Sequence, residues 1–155
     1  MQKVFEHTID LSAYLARGLT RDKLWVGLED FARNPHDYVE NMQASRVTPC
    51  ASDDGKTRLA RELDFGGSLV VSDVAELCAP ERFTTLVPAC GPIPDSRLDI
   101  TIEAREGLLQ LHFAYHEADS EASRELNAAM QTLRHKAWLA KDQEVVKLLL
   151  AALVD

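Results

Sequence analysis

Residues Asp119–Asp155, DSEASRELNAAMQTLRHKAWLAKDQEVVKLLLAALVD, contain no glycine and no proline. Their apolar side chains recur every three or four positions, at Ala122, Leu126, Met130, Leu133 and Ala137. This spacing predicts an amphipathic helix with one apolar face. The roughly seventy residues before this segment read almost wholly as short β-strands. A sheet that curls around the helix removes both apolar surfaces from water, so we expect that packing.

The same segment carries a second apolar stripe. Its members are Val145, Val146, Leu149 and Leu153, which centre roughly 150° around the helix from the first stripe. One straight helix would run about 50 Å, whereas a domain of this size has a radius of gyration of about 15 Å. We therefore predict a break around Lys141-Asp142, with Asp142 capping a final segment. The alternative is that the distal turns reach a partner subunit in a homodimer.

The N-terminal region predicts one strand followed by two short helices. Val4–Leu11 alternates between apolar and polar residues, as a half-buried strand does, and His7 lies on its inward face. Thr20 is suited to cap the first helix, and Asn34-Pro35 ends it. A short helical turn through Tyr38 is then expected.

The first predicted hairpin turns at Gly66-Gly67, a two-residue signal between two strand-like segments. Pairing outward from this turn sets Leu63 against Val70 and Arg61 against Ser72. In this register Arg61 and Val70 point inward. The acidic residues Glu62, Asp64 and Asp73 would lie on the outer face as solvated charges.

The second predicted hairpin turns at Glu106-Gly107. Pairing outward gives the apolar pairs Ala104 with Leu109, Ile102 with Leu111, Ile100 with Phe113, and Leu98 with Tyr115. The opposite face pairs Glu103 with Gln110 and Thr101 with His112. One face of the hairpin is apolar on both strands and the other is polar on both. A one-residue slip would mix apolar and polar residues on each face, so the register is well determined.

Composition excludes several functional classes. The formal net charge is −8, which argues against a nucleic-acid partner, because binding phosphates requires clustered cations. The strongest basic cluster, Arg134–Lys136, is interpreted as a solvated helix face. No apolar run approaches the ~20 residues of a membrane span. Three widely spaced cysteines, Cys50, Cys78 and Cys90, imply neither a disulfide framework nor a zinc knuckle, so we expect a reduced, cytoplasmic protein.

Several local motifs resemble one known superfamily. They include Phe5-Glu6-His7 at the start of the first strand and the helix opening Leu19-Thr20-Arg21-Asp22-Lys23-Leu24-Trp25. Arg61–Gly67 and Thr101-Ile102-Glu103 also match. Together they resemble the START-like (SRPBCC) superfamily, which includes the plant pathogenesis-related pollen allergens and aromatase/cyclase proteins, and within it the AtaL-like group.

The resemblance and the order of elements imply an α+β helix-grip fold in a single domain, residues 1–155. A curved seven-stranded antiparallel sheet wraps around a long C-terminal helix, with two short helices after strand 1. Pockets in this superfamily lie between sheet and helix, which favours a ligand cavity over a filled core. The predicted lining residues are His7, Arg61, Leu63, Phe65, Val70, Ile100, Ile102, Leu111, Phe113, Tyr115, Leu126, Met130 and Leu133.

The polar members of that set, Arg61, His7 and Tyr115, carry the candidate chemistry. An inward arginine keeps its charge, so Arg61 needs either a protein carboxylate or an anionic ligand, unless a bulge near the glycines turns it to solvent. His7 is either a hydrogen-bonded core histidine or an acid–base group. Tyr115 either binds a backbone partner or offers its hydroxyl at the cavity mouth. His112 and His116 are about 13 Å apart on a strand and cannot share a metal, and no cofactor is implied.

Three functions remain open. The leading hypothesis is a soluble binding protein for a small, largely apolar, aromatic or polyketide-like molecule. The second is a cyclase or lyase that uses Arg61 for enolate charge and His7 or Tyr115 for proton transfer. The third is a chaperone-like interaction module, which requires an exposed patch formed by Val145, Leu149 and Leu153.

Overall fold

A computed structural model describes residues 1–52, 54–90 and 94–154, without the side chain of Ala122. The segment Cys90–Pro94, for which the two prolines and the glycine of the sequence predict a loop, lies partly outside these residues. Seven antiparallel strands form one sheet in the order β1-β7-β6-β5-β4-β3-β2. The strands are β1 (Gln2–Asp10), β2 (Ala44–Cys50), β3 (Thr57–Asp64), β4 (Val70–Cys78), β5 (Arg82–Val87), β6 (Ser96–Arg105) and β7 (Leu108–Glu117).

The helices after β1 are α1 (Arg21–Arg33) and two 3₁₀ helices that flank it, Ser12–Arg17 and Pro35–Asp37. Thr20 caps α1, because its hydroxyl accepts a hydrogen bond from the Lys23 backbone amide at 3.2 Å. The cap and the end of α1 at Asn34 confirm the predicted helix, and Tyr38 directly follows the second 3₁₀ helix. The C-terminal helices are α2 (Glu121–Arg124) and α3 (Ala128–Leu153). This arrangement is the predicted α+β helix-grip fold.

The β6–β7 hairpin has the predicted register. Ile102 pairs with Leu111 and Ile100 with Phe113, and all four side chains are buried in the main core. The turn works as expected because Gly107 adopts a positive φ of 75°.

The β3–β4 hairpin differs from its prediction by one residue. Its connection spans Phe65–Leu69 rather than two glycines, since the Phe65 amide donates to the Leu69 carbonyl at 2.9 Å. Positive φ angles at Gly66, Gly67 and Ser68 shape this longer turn. Arg61 consequently pairs with Asp73, not with Ser72.

The slip reverses the face of every β4 side chain, because side chains alternate along a strand. Val70, predicted to line the cavity, lies on the outer face and is 53% exposed. Asp73, predicted to be a solvated charge, is buried opposite Arg61.

Helix α3 runs without the predicted break at Lys141-Asp142. The helical segment is interrupted earlier, between α2 and α3, where the Asn127 side chain accepts from the Met130 amide and caps α3. Asp142 lies inside the helix and is buried. Its carboxylate contacts side chains of β1 and β7 rather than the backbone amides at a helix N-terminus.

The second apolar stripe of α3, rather than the first, packs on the core. Val145, Val146 and Leu149 are buried, and α3 approaches α1 at Gly27, where a Cβ atom would lie 2.9 Å from Leu153 Cδ1. The patch required for the interaction module is therefore buried at Val145 and Leu149.

Contrary to the prediction, the first stripe does not cover the inward face of the sheet. Met130 and Leu133 are 48% and 67% exposed, and Leu126 is half-buried. In the described part of the chain, no helix is both long and apolar enough to cross a membrane.

Candidate functional site

A buried polar cluster joins α3 to strands β1 and β7. His7 Nε2 lies 2.7 Å from Asp142 Oδ2, and the Tyr115 hydroxyl donates to the same oxygen at 2.6 Å. The side chains of His7 and Asp142 are only 10% and 3% exposed. The sequence placed His7 and Tyr115 on the inward face, and the structure brings them together on a carboxylate that sequence reasoning assigned to a helix cap.

Aromatic packing fixes the orientation of both donors. The His7 ring stacks on Phe113 with 4.7 Å between centroids. Tyr115 stacks on Trp138 of α3 at 4.5 Å, with the ring planes 3° apart. Since stacked ring pairs add stability beyond their buried area, the Tyr115–Trp138 pair helps to hold α3 against β7, whereas the His7–Phe113 pair joins β1 to β7.

Tyr115 is held in its protonated form. Burial raises the pKa of its phenol well above the ordinary value of 10.0, and the negative charge of Asp142 and the hydrogen bond to it raise that pKa further. Tyr115 therefore acts as a hydrogen-bond donor rather than as a base. His7 Nδ1 is buried and has no hydrogen-bond partner among the described residues.

Arg61 lies in a separate buried ion pair between β3 and β4. Its Nε and Nη2 donate to the two carboxylate oxygens of Asp73 at 2.7 and 2.8 Å. Its Nη1 donates to the carbonyl oxygen of Ala32 in α1 at 2.9 Å. Such a paired, bidentate contact satisfies a buried guanidinium. The predicted alternative of a protein carboxylate is thus the one observed, and Arg61 does not join His7 and Tyr115.

A cavity of about 300 Å³ lies between β5–β7 and α3. Its volume is at the lower end of ordinary ligand pockets, which span ~300–1,000 Å³. The lining residues are Thr85, Val87, Ser96, Arg97, Leu98, Tyr115, His116, Glu117, Arg134, Trp138 and Lys141.

Among the predicted lining residues, Tyr115 contributes to this cavity. Most of the others fill space instead: Ile100, Ile102, Leu111 and Phe113 belong to the packed core. Leu63 is buried and Phe65 is half-buried. The inward face is therefore mostly filled, and this cavity lies toward the ends of β5, β6 and β7.

An ion pair that sequence reasoning missed closes one side of the cavity. Nη2 of Arg134 lies 2.8 Å from both carboxylate oxygens of Glu117, and the guanidinium carbon lies 4.6 Å from the Trp138 ring centroid. The sequence predicted a solvated helix face at Arg134. The structure shows instead that Arg134 pairs with a carboxylate of the sheet. A usable signal was present, since Glu117 continues the inward alternation of Phe113 and Tyr115.

A larger groove, of about 410 Å³, lies apart from this cavity. It runs between the first 3₁₀ helix, the end of β1 and the C-terminal half of α3, where Tyr14, Val146 and Leu150 line it. This groove is more open to solvent than the cavity between β5–β7 and α3. The described residues contain no group of three His, Cys, Asp or Glu side chains arranged to hold a metal ion.

Solved structures with this fold are similar to the chain across nearly its whole length. The di-domain ARO/CYC StfQ from the steffimycin biosynthetic pathway superposes with a TM-score of 0.67 at 8% identity, covering 95% of this chain and 49% of that protein. The chain therefore spans about half the length of that di-domain protein. The ZhuI aromatase/cyclase from a Streptomyces species gives a TM-score of 0.59 at 11% identity, covering 96% of this chain and 91% of that one.

The protein Ara h 8.0201 is also similar, with a TM-score of 0.58 at 12% identity, covering 96% of this chain and 95% of that one. These identities establish a shared fold and no shared activity. No curated protein matches the chain. The family model described as acetylaranotin biosynthesis cluster protein L (AtaL) matches residues 8–152. The chain therefore belongs to the AtaL family, within the helix-grip superfamily that its motifs resemble.

Proposed function

We propose that this protein binds one small, largely apolar molecule in the cavity between β5–β7 and α3. The observation that carries the proposal is the cavity of about 300 Å³ walled by the stacked rings of Tyr115 and Trp138. Both rings line the cavity and offer apolar surface to a guest. The remainder of the wall mixes apolar side chains such as Val87 and Leu98 with a few polar groups, as in typical ligand sites.

Apolar burial supplies most of the expected affinity. Burying about 200 Å² of apolar ligand surface contributes about 5 kcal/mol at ~25 cal/mol/Å², and part of that gain offsets the lost freedom of the ligand. Contact with the aromatic rings of Tyr115 and Trp138 adds about 1 kcal/mol. We therefore expect modest affinity, with specificity determined by the polar groups of the wall.

Binding is favoured over turnover by the arrangement of the polar groups. Two of the similar structures are named as aromatase/cyclases, and catalysis here would require His7 or Tyr115 to exchange a proton with the guest. The Tyr115 hydroxyl is instead committed to Asp142, at 2.6 Å. Arg61, the predicted stabiliser of enolate charge, is committed to Asp73 and Ala32.

Native mass spectrometry of freshly purified protein tests the proposal. We expect an extra mass that is lost on unfolding. The variant Ser96→Trp places an indole in the cavity and should purify without that mass. Val26→Trp serves as the matched control, because Val26 is exposed on α1 and does not line the cavity. Identical bound mass in both variants, or none in the native protein, would contradict a guest at this position.

A further inference from the structure

The walls of the cavity carry an excess of positive charge that the whole chain does not. The chain has 17 basic and 25 acidic residues. The cavity lining holds three basic side chains, Arg97, Arg134 and Lys141, and one acidic side chain, Glu117. Two carboxylates next to the wall, Asp99 and Asp142, offset part of this charge, so the role of each cation depends on how closely it is paired.

Two of the three cations already have close protein partners. Arg134 is paired with Glu117 at 2.8 Å. Nε of Arg97 donates to Asp99 Oδ2 at 3.1 Å. Both guanidinium groups therefore shape the wall, and their charges are largely compensated by carboxylates of the protein.

Lys141 differs from both arginines. Its Nζ lies 3.8 Å from Asp142 Oδ1, which is too long for a direct hydrogen bond. The other oxygen of that carboxylate already accepts from Tyr115 and interacts with His7. The ammonium lies 5.4 Å from the centroid of the Tyr115 ring, so it is next to an aromatic side chain that lines the cavity.

We propose that the cavity selects a flat aromatic molecule that carries an anionic group, a carboxylate or phenolate, and that Lys141 binds this group. This inference rests on the proposed function, because it requires a guest in the cavity. The rings of Tyr115 and Trp138 contact the aromatic body. The Lys141 side chain is 40% exposed, so the anionic group lies near the cavity mouth, where it keeps part of its hydration.

A charged and a neutral probe of equal shape provide the test. Isothermal titration calorimetry at pH 7 would measure binding of 2-naphthoate and of 2-naphthamide to the native protein, to Lys141→Gln and to Lys136→Gln. Lys136 is exposed on the same helix and does not line the cavity, so its variant controls for the loss of one positive charge. Circular dichroism verifies that all three proteins are folded.

We expect Lys141→Gln to bind 2-naphthoate about five- to tenfold more weakly and 2-naphthamide unchanged, because a partly exposed charged contact is worth about that factor. Lys136→Gln should bind both probes like the native protein. Equal affinity for the two probes, or equal loss in both lysine variants, would overturn the role of Lys141 and leave the proposed cavity intact. Failure of both probes to bind the native protein would count against the proposed function itself, and against this inference with it.

Discussion

Two buried polar clusters lie inside the same sheet, and they differ in what their members can do with charge. Asp73 binds Arg61 between β3, β4 and α1, whereas Asp142 binds His7 and Tyr115 between α3, β1 and β7. Arg61 cannot lose its charge in a protein. His7 can be neutral, and Tyr115 is neutral because burial and Asp142 raise the pKa of its phenol.

The difference separates a structural cluster from one beside a ligand site. The Arg61 guanidinium is fully paired, since it contacts two carboxylate oxygens and one carbonyl oxygen, although Arg61 and Asp73 also border a pocket of about 340 Å³. The Asp142 cluster adjoins open space, because Tyr115 and the neighbouring Lys141 both line the cavity. Burial and charge alone would have ranked Arg61 first. Unfilled bonding capacity among the described residues, at Lys141 and at His7 Nδ1, is therefore the better indicator of a site.

Asp73→Asn should have the largest effect on stability. It leaves the Arg61 cation buried without its counter-ion, which costs about 3–5 kcal/mol. Urea unfolding would measure the loss. Glu62→Gln is the matched control, because Glu62 belongs to the exposed pair with Arg46, and exposed pairs contribute about 0–1 kcal/mol. Similar losses in the two variants would show that the buried pair is not a distinct cluster.

Asp142→Asn should cost less, about 2 kcal/mol, since the partners left behind are groups that can remain neutral. The variant also removes the negative charge that raises the pKa of Tyr115, so that pKa should fall while staying above 10.0 because burial remains. Urea unfolding and ultraviolet titration of tyrosine would check both effects. A loss equal to that of Asp73→Asn would remove the proposed distinction between charged and neutral partners.

Tyr115→Phe should have the smallest effect near neutral pH, about 1 kcal/mol for one hydrogen bond. The alkaline range provides a sharper readout. Because the pKa of Tyr115 is raised on folding, its contribution to stability is present below about pH 10 and is lost as the pH rises further. The variant should therefore lose stability less steeply above pH 10, by up to about 1.4 kcal/mol per pH unit.

Tyr38 provides an internal reference in the alkaline experiment. Burial, followed by the hydrogen bond to Asp30, also raises its pKa, and the native protein and Tyr115→Phe share this contribution. Parallel pH profiles for the two proteins would mean that folding does not raise the pKa of Tyr115.

The two hairpins show how far local sequence determines register. At Glu106-Gly107 a two-residue turn and two consistent faces led to the correct pairing, and Tyr115 was placed correctly as a result. At Gly66-Gly67 the same reasoning failed, because the connection spans Phe65–Leu69. One residue of slip turned Asp73 inward and Val70 outward, since side chains alternate with a period of two.

Alternation, helical spacing and turn residues predicted the order of strands and helices, the inward positions of His7, Arg61 and Tyr115, and two apolar stripes on the last helix; with the resemblance to the START-like superfamily, that order implied the helix-grip fold. These properties depend on neighbours along the chain. Three further properties depended on contacts between distant segments. These contacts determined which stripe faces the sheet, whether Asp142 caps a helix or lies inside one, and where the cavity remains open. The curvature of the sheet and the docking of α3 create those contacts, and packing of this kind cannot be read from local spacing alone.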